Sequence, residues 1–191
     1  MPRARKTQAT NTEVENVTIS AKEVKKPVAK KTEPVKKTLR KVPLDELVPV
    51  ASNCMTPLIY VSKRQNGYKV EWENFGDVDY MSVSELIAMR GSARRFFTDN
   101  WIVIQDGDYT AEEVYSRIGV TKLYEDVVTP ETIKDLLSES VSVISKRMSK
   151  MSDGLKQTVY NYAVKLKDEG EFDSIKKFEL IKNIAGYGGM E

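Results

Sequence analysis

"LIYVSKRQNGYKVEWENFGDVDYMSVSELIAM", residues Leu58 to Met89, carries the change of period that decides the fold. After Asn66-Gly67, Tyr68, Val70 and Trp72 alternate with Lys69, Glu71 and Glu73, so one strand face is apolar and the other charged. The Asn-Gly pair predicts a type I′ hairpin turn, in which both central residues take positive φ. A further strand is expected at Val78 to Met81. Ser82 and Glu85 then stand three apart as a capping box, and a helix begins. Strands followed by a helix predict an α+β class: a small twisted antiparallel sheet or SH3-like barrel with one packed helix.

The helix leads into "RGSARRFFTDNW", residues Arg90 to Trp101. Leu86, Met89, Ala93 and Phe96 or Phe97 recur at spacings of three and four, which turns them toward the sheet. Arg90 and Arg94 share another face, with Arg95 beside them near the helix end. The arginines are therefore candidate contacts for phosphate or an acidic partner, and the aromatics are expected core. Gly91 inside the helix implies a close packing contact, because glycine there costs about 1 kcal/mol relative to alanine. "WIVIQD" reads as a buried strand.

Downstream the pattern becomes helical. Thr110 and Glu113 form a capping box ahead of a helix that stops at Gly119. Thr129 and Pro130 are start signals for a longer one. Ile133, Leu137, Val141, Ile144, Met148 and Met151 follow as a heptad-like seam about 20 residues long. A second helix carries Leu155, Val159, Tyr162, Ala163 and Leu166 and stops at Gly170. A third, capped by Asp173, carries Ile175, Phe178, Ile181 and Ile184 and ends at Gly186. These helices pack on one another or on a neighbouring subunit.

Upstream lies a segment of different composition. Residues 1–41 hold 12 Lys/Arg against 4 Asp/Glu and no aromatic, whereas residues 42–191 hold 18 against 24. A net +8 segment thus precedes a net −6 body. The segment has too little apolar surface to offset its ordering entropy and is expected to be a disordered arm. It resembles linker-histone tails in composition. Lys25, Lys26, Lys30, Lys31, Lys36, Lys37, Arg40 and Lys41 are its candidate contacts to DNA phosphates or to protein, joined by Arg90, Arg94 and Arg95 of the body. The domain expectation is 1–41 basic tail, 42–106 α+β domain and 107–191 helical region.

Composition also removes chemistry. Histidine is absent and cysteine occurs once, at Cys54, so no His-based general base, Cys-His pair, multi-Cys zinc site or intramolecular disulfide is available. A single cysteine suits a reducing compartment. No run approaches the roughly 20 apolar residues of a membrane span, and the basic first residues lead into no apolar stretch of a secretory signal. "QDGDYT" opens like a calcium loop, but its sixth position is Ala111 and its twelfth Arg117, where Gly and Glu are needed. "GYGG", from Gly186 to Gly189, lacks the Lys-Ser/Thr of a phosphate loop. Glu71, Glu73, Asp77 and Asp79 make an acidic face that keeps a strand edge from pairing. No cofactor, metal or catalytic residue is expected.

"YKVEWENF" resembles the central strand of chromodomains over fewer than ten residues, and no methyl-lysine cage is carried over from it. Residues 55–106, with "YVSKRQNGYKVEW", "DYMSVSELIAMR" and "RRFFTDNWIVI", resemble small, uncharacterised proteins of tailed bacteriophages, some encoded among virion genes. The resemblance implies a virion or assembly role and transfers no catalytic residue. The expected function is a non-enzymatic structural or assembly protein of a phage particle. Its basic arm would touch DNA or neighbouring subunits, in a homo- or hetero-oligomer, in the virion or host cytoplasm and away from membranes. The alternatives are a stand-alone nucleic-acid-binding regulator or packaging factor, and an enzyme relying on carboxylates and lysines.

Overall fold

A strand that the periodicity does not reveal stands at the centre of the first sheet. In the computed structural model, which describes residues 39–188, β1 (Leu47–Ser52) pairs antiparallel with β4 (Val78–Ser82) on one side and β5 (Ile102–Ile104) on the other. "LVPVAS" hides this strand because Pro49 argues against a central position. The ladder accommodates it by ending there. β5 pairs only with Val50 to Ser52, and beyond that the Pro49 carbonyl accepts from Gln105 N at 3.0 Å with no N–H needed in return.

β2 (Leu58–Val61) and β3 (Lys69–Trp72) form the expected hairpin as a separate two-stranded sheet. Its turn differs from expectation. Only Gly67 has positive φ, at 79°, and Tyr68 N donates to Gln65 O at 3.2 Å, as in a type II turn inside a longer loop. The reason lies across the core: the longer loop lets Arg64 and Gln65 reach the carboxylate of Glu85, at 3.2 and 3.1 Å.

α1 (Val83–Ser92) starts at Ser82, whose hydroxyl accepts from Glu85 N at 3.2 Å. The reciprocal half of the capping box is replaced, because the Glu85 side chain turns to Tyr60 (2.7 Å), Arg64 and Gln65. The expected single helix breaks at Ala93 (φ −139°) and resumes as the short α2 (Arg95–Thr98). Phe96 and Phe97 still enter the core, 8% and 0% exposed. Gly91 is exposed and a Cβ there would meet nothing within 4 Å, so the expected close contact at this glycine is absent.

α3 (Ala111–Ile118) begins with the full Thr110–Glu113 capping box and ends at Gly119 with φ 80°. It brings Val114 and Ile118 into the same core as the sheet, the hairpin and α1, so this core runs past residue 106 to Val120. β5 is an edge strand, and outward backbone groups of Ile102 and Ile104 are occupied by tyrosine hydroxyls. Tyr115 Oη accepts from Ile104 N at 2.7 Å, Tyr124 Oη donates to Ile102 O at 2.8 Å, and the two rings stack at 4.1 Å.

The helical C-terminal region forms a second core. The expected 20-residue seam is two helices, α4 (Ile133–Ser138) and α5 (Val141–Met148), and the helix starts at Ile133 with Pro130 in the preceding turn. The break at Glu139-Ser140 is held from a distance: Lys177 Nζ donates to the Leu137 and Ser138 carbonyls, both at 2.9 Å, which satisfies acceptors that a helix end leaves open. Val141, a seam residue, is 41% exposed as a result. α6 (Asp153–Asp168) buries Leu155, Val159, Ala163 and Leu166 as expected. α7 (Ile175–Ile184) is preceded by Ser174 rather than Asp173 at its cap, buries Ile181 and leaves Ile175 outside. The chain is thus α+β, with small antiparallel sheets followed by a helical region.

Polar groups and one glycine join the two cores. Asn53 Nδ2 donates to Asn100 O (3.1 Å) and Val128 O (3.0 Å), and its own carbonyl accepts from Thr158 Oγ1 of α6 (2.9 Å). Asn100, left-handed at φ 54°, receives Ser152 Oγ at 2.9 Å. Gly154 lets α6 approach so closely that a Cβ would stand 2.5 Å from Asp99 O and 2.9 Å from Trp101 Nε1.

Candidate nucleic-acid or partner interface

The break at Ala93 sorts the three arginines that the sequence groups together. Arg90, on the last turn of α1, donates through Nη1 to the Ile118 carbonyl at the C-terminal end of α3, where a cation also meets the negative end of the helix dipole. Arg94, exposed at the start of α2, and Lys122, exposed on the 3₁₀ turn Thr121–Leu123, line the same cavity of about 590 Å³ as Arg90. Its other walls are Phe97 and the chain from Gly119 to Leu123, and among the described residues no carboxylate lines it. Arg95 points elsewhere. It pairs with Asp99 at 2.9 Å and lies 4.9 Å above the Trp101 ring, so it leaves the group expected with Arg90 and Arg94.

Lys122 also lines a second concavity of about 300 Å³, with Arg147 and Lys150 but also Glu125 and Asp126. Nothing in the sequence couples Lys122 to Arg90; only the packing of α3 beside α1, followed by the turn at Gly119, brings them together. The Gly119 stop signal marks that turn, but its partner is not legible.

Of the arm's candidate contacts, Lys25, Lys26, Lys30, Lys31, Lys36 and Lys37 lie outside the described residues. Lys41 is exposed. Arg40 is fixed to the body: its guanidinium grips Glu113 through two bonds of 2.8 and 2.7 Å, donates to Asp108 O at 2.9 Å and lies 4.7 Å over Tyr109. It therefore leaves the free basic set. Hydrogen bonding from Arg40, seconded by Thr110 N–H, holds the Glu113 carboxyl down to about 2.

The other buried carboxylate among the described residues is Glu85, fully enclosed. Burial pushes its pKa up, but the polar neighbours Ser62, Tyr60 and Arg64 together outweigh burial and hold it below the usual carboxylate range. Burial, with the bond to Glu85, pushes the Tyr60 phenol up to about 12. Both move away from neutrality, whereas a general acid or base works best with a pKa near the operating pH. On the expected acidic face, Glu71 pairs with Lys69 at 2.7 Å, and Asp77 and Asp79 accept backbone N–H groups of Asn74 and Tyr80. Asp106 of the calcium-like stretch accepts from Ala111 N at 2.7 Å. Among the described residues no cluster of three His, Cys, Asp or Glu is arranged for a metal ion, and no helix is long and apolar enough to cross a membrane.

No family model, no curated protein and no solved structure matches this chain.

Proposed function

We propose that the chain is a non-enzymatic structural or assembly protein of a bacteriophage particle, with its basic arm contacting DNA or neighbouring subunits. The observation that carries this reading is the division of charge: a net +8 segment joined to a net −6 body. Such a pairing suits a component that lies between an anionic polymer and other protein surfaces. The use of Glu85 and Glu113 as structural anchors adds support, since both carboxylates are enclosed by partners that hold the fold. The resemblance of residues 55–106 to phage proteins supplies the setting.

The test is fractionation of purified particles of the encoding phage. The chain is expected in washed particles at a fixed copy number by quantitative mass spectrometry. Its absence there, with recovery on DNA in infected cells, would replace this reading by the stand-alone regulator or packaging factor. One observation favours that second reading: the cationic cavity at Arg90, Arg94 and Lys122, which no carboxylate of the described residues lines.

A further inference from the structure

We propose that the cavity between Arg90, Arg94 and Lys122 is a phosphate site that seats the backbone of a nucleic-acid strand without reading its sequence. This rests on the reading of the chain as a binding component and adds a second, folded contact to the one expected of the arm. The body has more carboxylates than cations, and several of its bases pair with them: Arg64 with Glu85, Arg95 with Asp99, Lys134 with Glu171 and Lys156 with Asp153. Around this cavity three cations converge and none forms an ion pair among the described residues. Like charges held together repel, and a polyanion relieves that repulsion.

The Arg90 guanidinium and the backbone that carries Arg94 and Lys122 are set before any ligand arrives. Arg90 is pinned through Nη1 to Ile118 O, and its remaining N–H donors can serve the cavity. Arg94 is set by the turn at Ala93, and Lys122 by a 3₁₀ turn closed by Leu123 N to Val120 O (2.9 Å) and Tyr124 N to Thr121 O (3.0 Å). Guanidinium groups match phosphate oxygens in pairs, and lysine adds a point charge. The choice of a strand over an isolated phosphate follows from size and continuity. The cavity is large enough for more than one phosphate group, and Lys122 carries the cationic lining onward to Arg147 and Lys150. Glu125 and Asp126 dilute the charge of that second concavity, so the first is the seat. Among the described residues the aromatic that lines it, Phe97, is fully buried and offers no face for a base to stack on, so recognition stops at the backbone.

The test uses the full chain and a fluorescein-labelled single-stranded oligonucleotide of mixed sequence, with anisotropy read over a range of salt. Arg94→Gln with Lys122→Gln is expected to weaken binding about tenfold or more and to reduce the salt slope by about 0.7 for every phosphate that is no longer neutralised. Its melt should match the parent's. Arg94→Lys with Lys122→Arg should keep the slope. Pyrophosphate should compete only at much higher concentration than unlabelled oligonucleotide. A third variant neutralises Lys25, Lys26, Lys30, Lys31, Lys36 and Lys37 to Gln. Parent-like binding by the cavity variant, with weakening only in the arm variant, overturns the site and leaves the arm's role intact. Pyrophosphate binding as tight as the oligonucleotide overturns the strand assignment. A parent chain that binds no oligonucleotide overturns the site and leaves neighbouring subunits as the arm's only target.

Discussion

The sheet core and the helical core are closed by different means. The first buries Tyr60, Trp72, Phe96 and Phe97, and it must place their polar atoms: Trp72 Nε1 donates to Val50 O at 3.0 Å and Tyr60 Oη to Glu85. Glu85, Asn53, Asn100 and Glu113 belong to the same region, each hydrogen-bonded through its side chain. The second core is aliphatic and methionine, from Val128 to Ile181, and its aromatics stay on the rim, where Tyr160 stacks on Tyr187 at 4.5 Å. Polar matching admits one arrangement, because a misplaced buried donor or acceptor costs about 1–3 kcal/mol. An aliphatic stripe asks only for burial, and broken helices satisfy it as well as a continuous one does.

The largest test of that contrast sets Phe97→Ala against Ile144→Ala. Each removes a fully buried side chain, one per core, and the expected costs are about 3–5 and about 2–5 kcal/mol. Chemical denaturation measures both, and a parent-like Phe97→Ala would mean that the first core closes without its aromatics. Next comes the link between the cores. Gly154→Ala presses a methyl against Asp99 O and should cost about 1–3 kcal/mol, measured by thermal melt; an unchanged melt would show that the two cores do not depend on this approach.

The acid response should separate the cores further. The folded-state pKa of Glu113, about 2, lies below its ordinary 4.5. Its stabilising contribution is therefore complete above about pH 4.5 and disappears as the pH falls through about 2. Glu113→Gln should flatten the dependence of melting temperature on pH in that window, and an unchanged slope would remove this carboxylate from the account. The smallest expected effect is a gain: Gly91→Ala fills open space on α1 and should add up to about 1 kcal/mol. A lower stability there would point to a packing neighbour at Gly91 that the fold does not provide.

What the sequence made legible was local. The hairpin, the Ser82 and Thr110 caps, the buried "IVI" strand and the glycine stops at 119, 170 and 186 all depend on neighbours within a few residues. What it hid depends on distant ones. β1 is central despite Pro49 because β5 stops pairing at Val50. The break at Glu139-Ser140 leans on Lys177, and Glu85 left its capping box for a hairpin more than twenty residues upstream. The candidate site follows the same rule. Arg90 and Arg94 were legible as an exposed pair, but Lys122 joins them only through the packing of α3, and Arg95 departs because of a helix break that no Gly or Pro in its place announces.

The tyrosine pair beside β5 bears on crowding. A bare strand edge is a template, and many copies held close together would tend to zip edge to edge into fibres. Tyr115 and Tyr124 occupy the Ile104 N–H and the Ile102 carbonyl with phenol oxygens, and their stacked rings stand where an incoming strand would lie. On that side the sheet has a fixed width of three strands at any protein concentration, so growth there requires first prising two half-buried phenols away from the backbone.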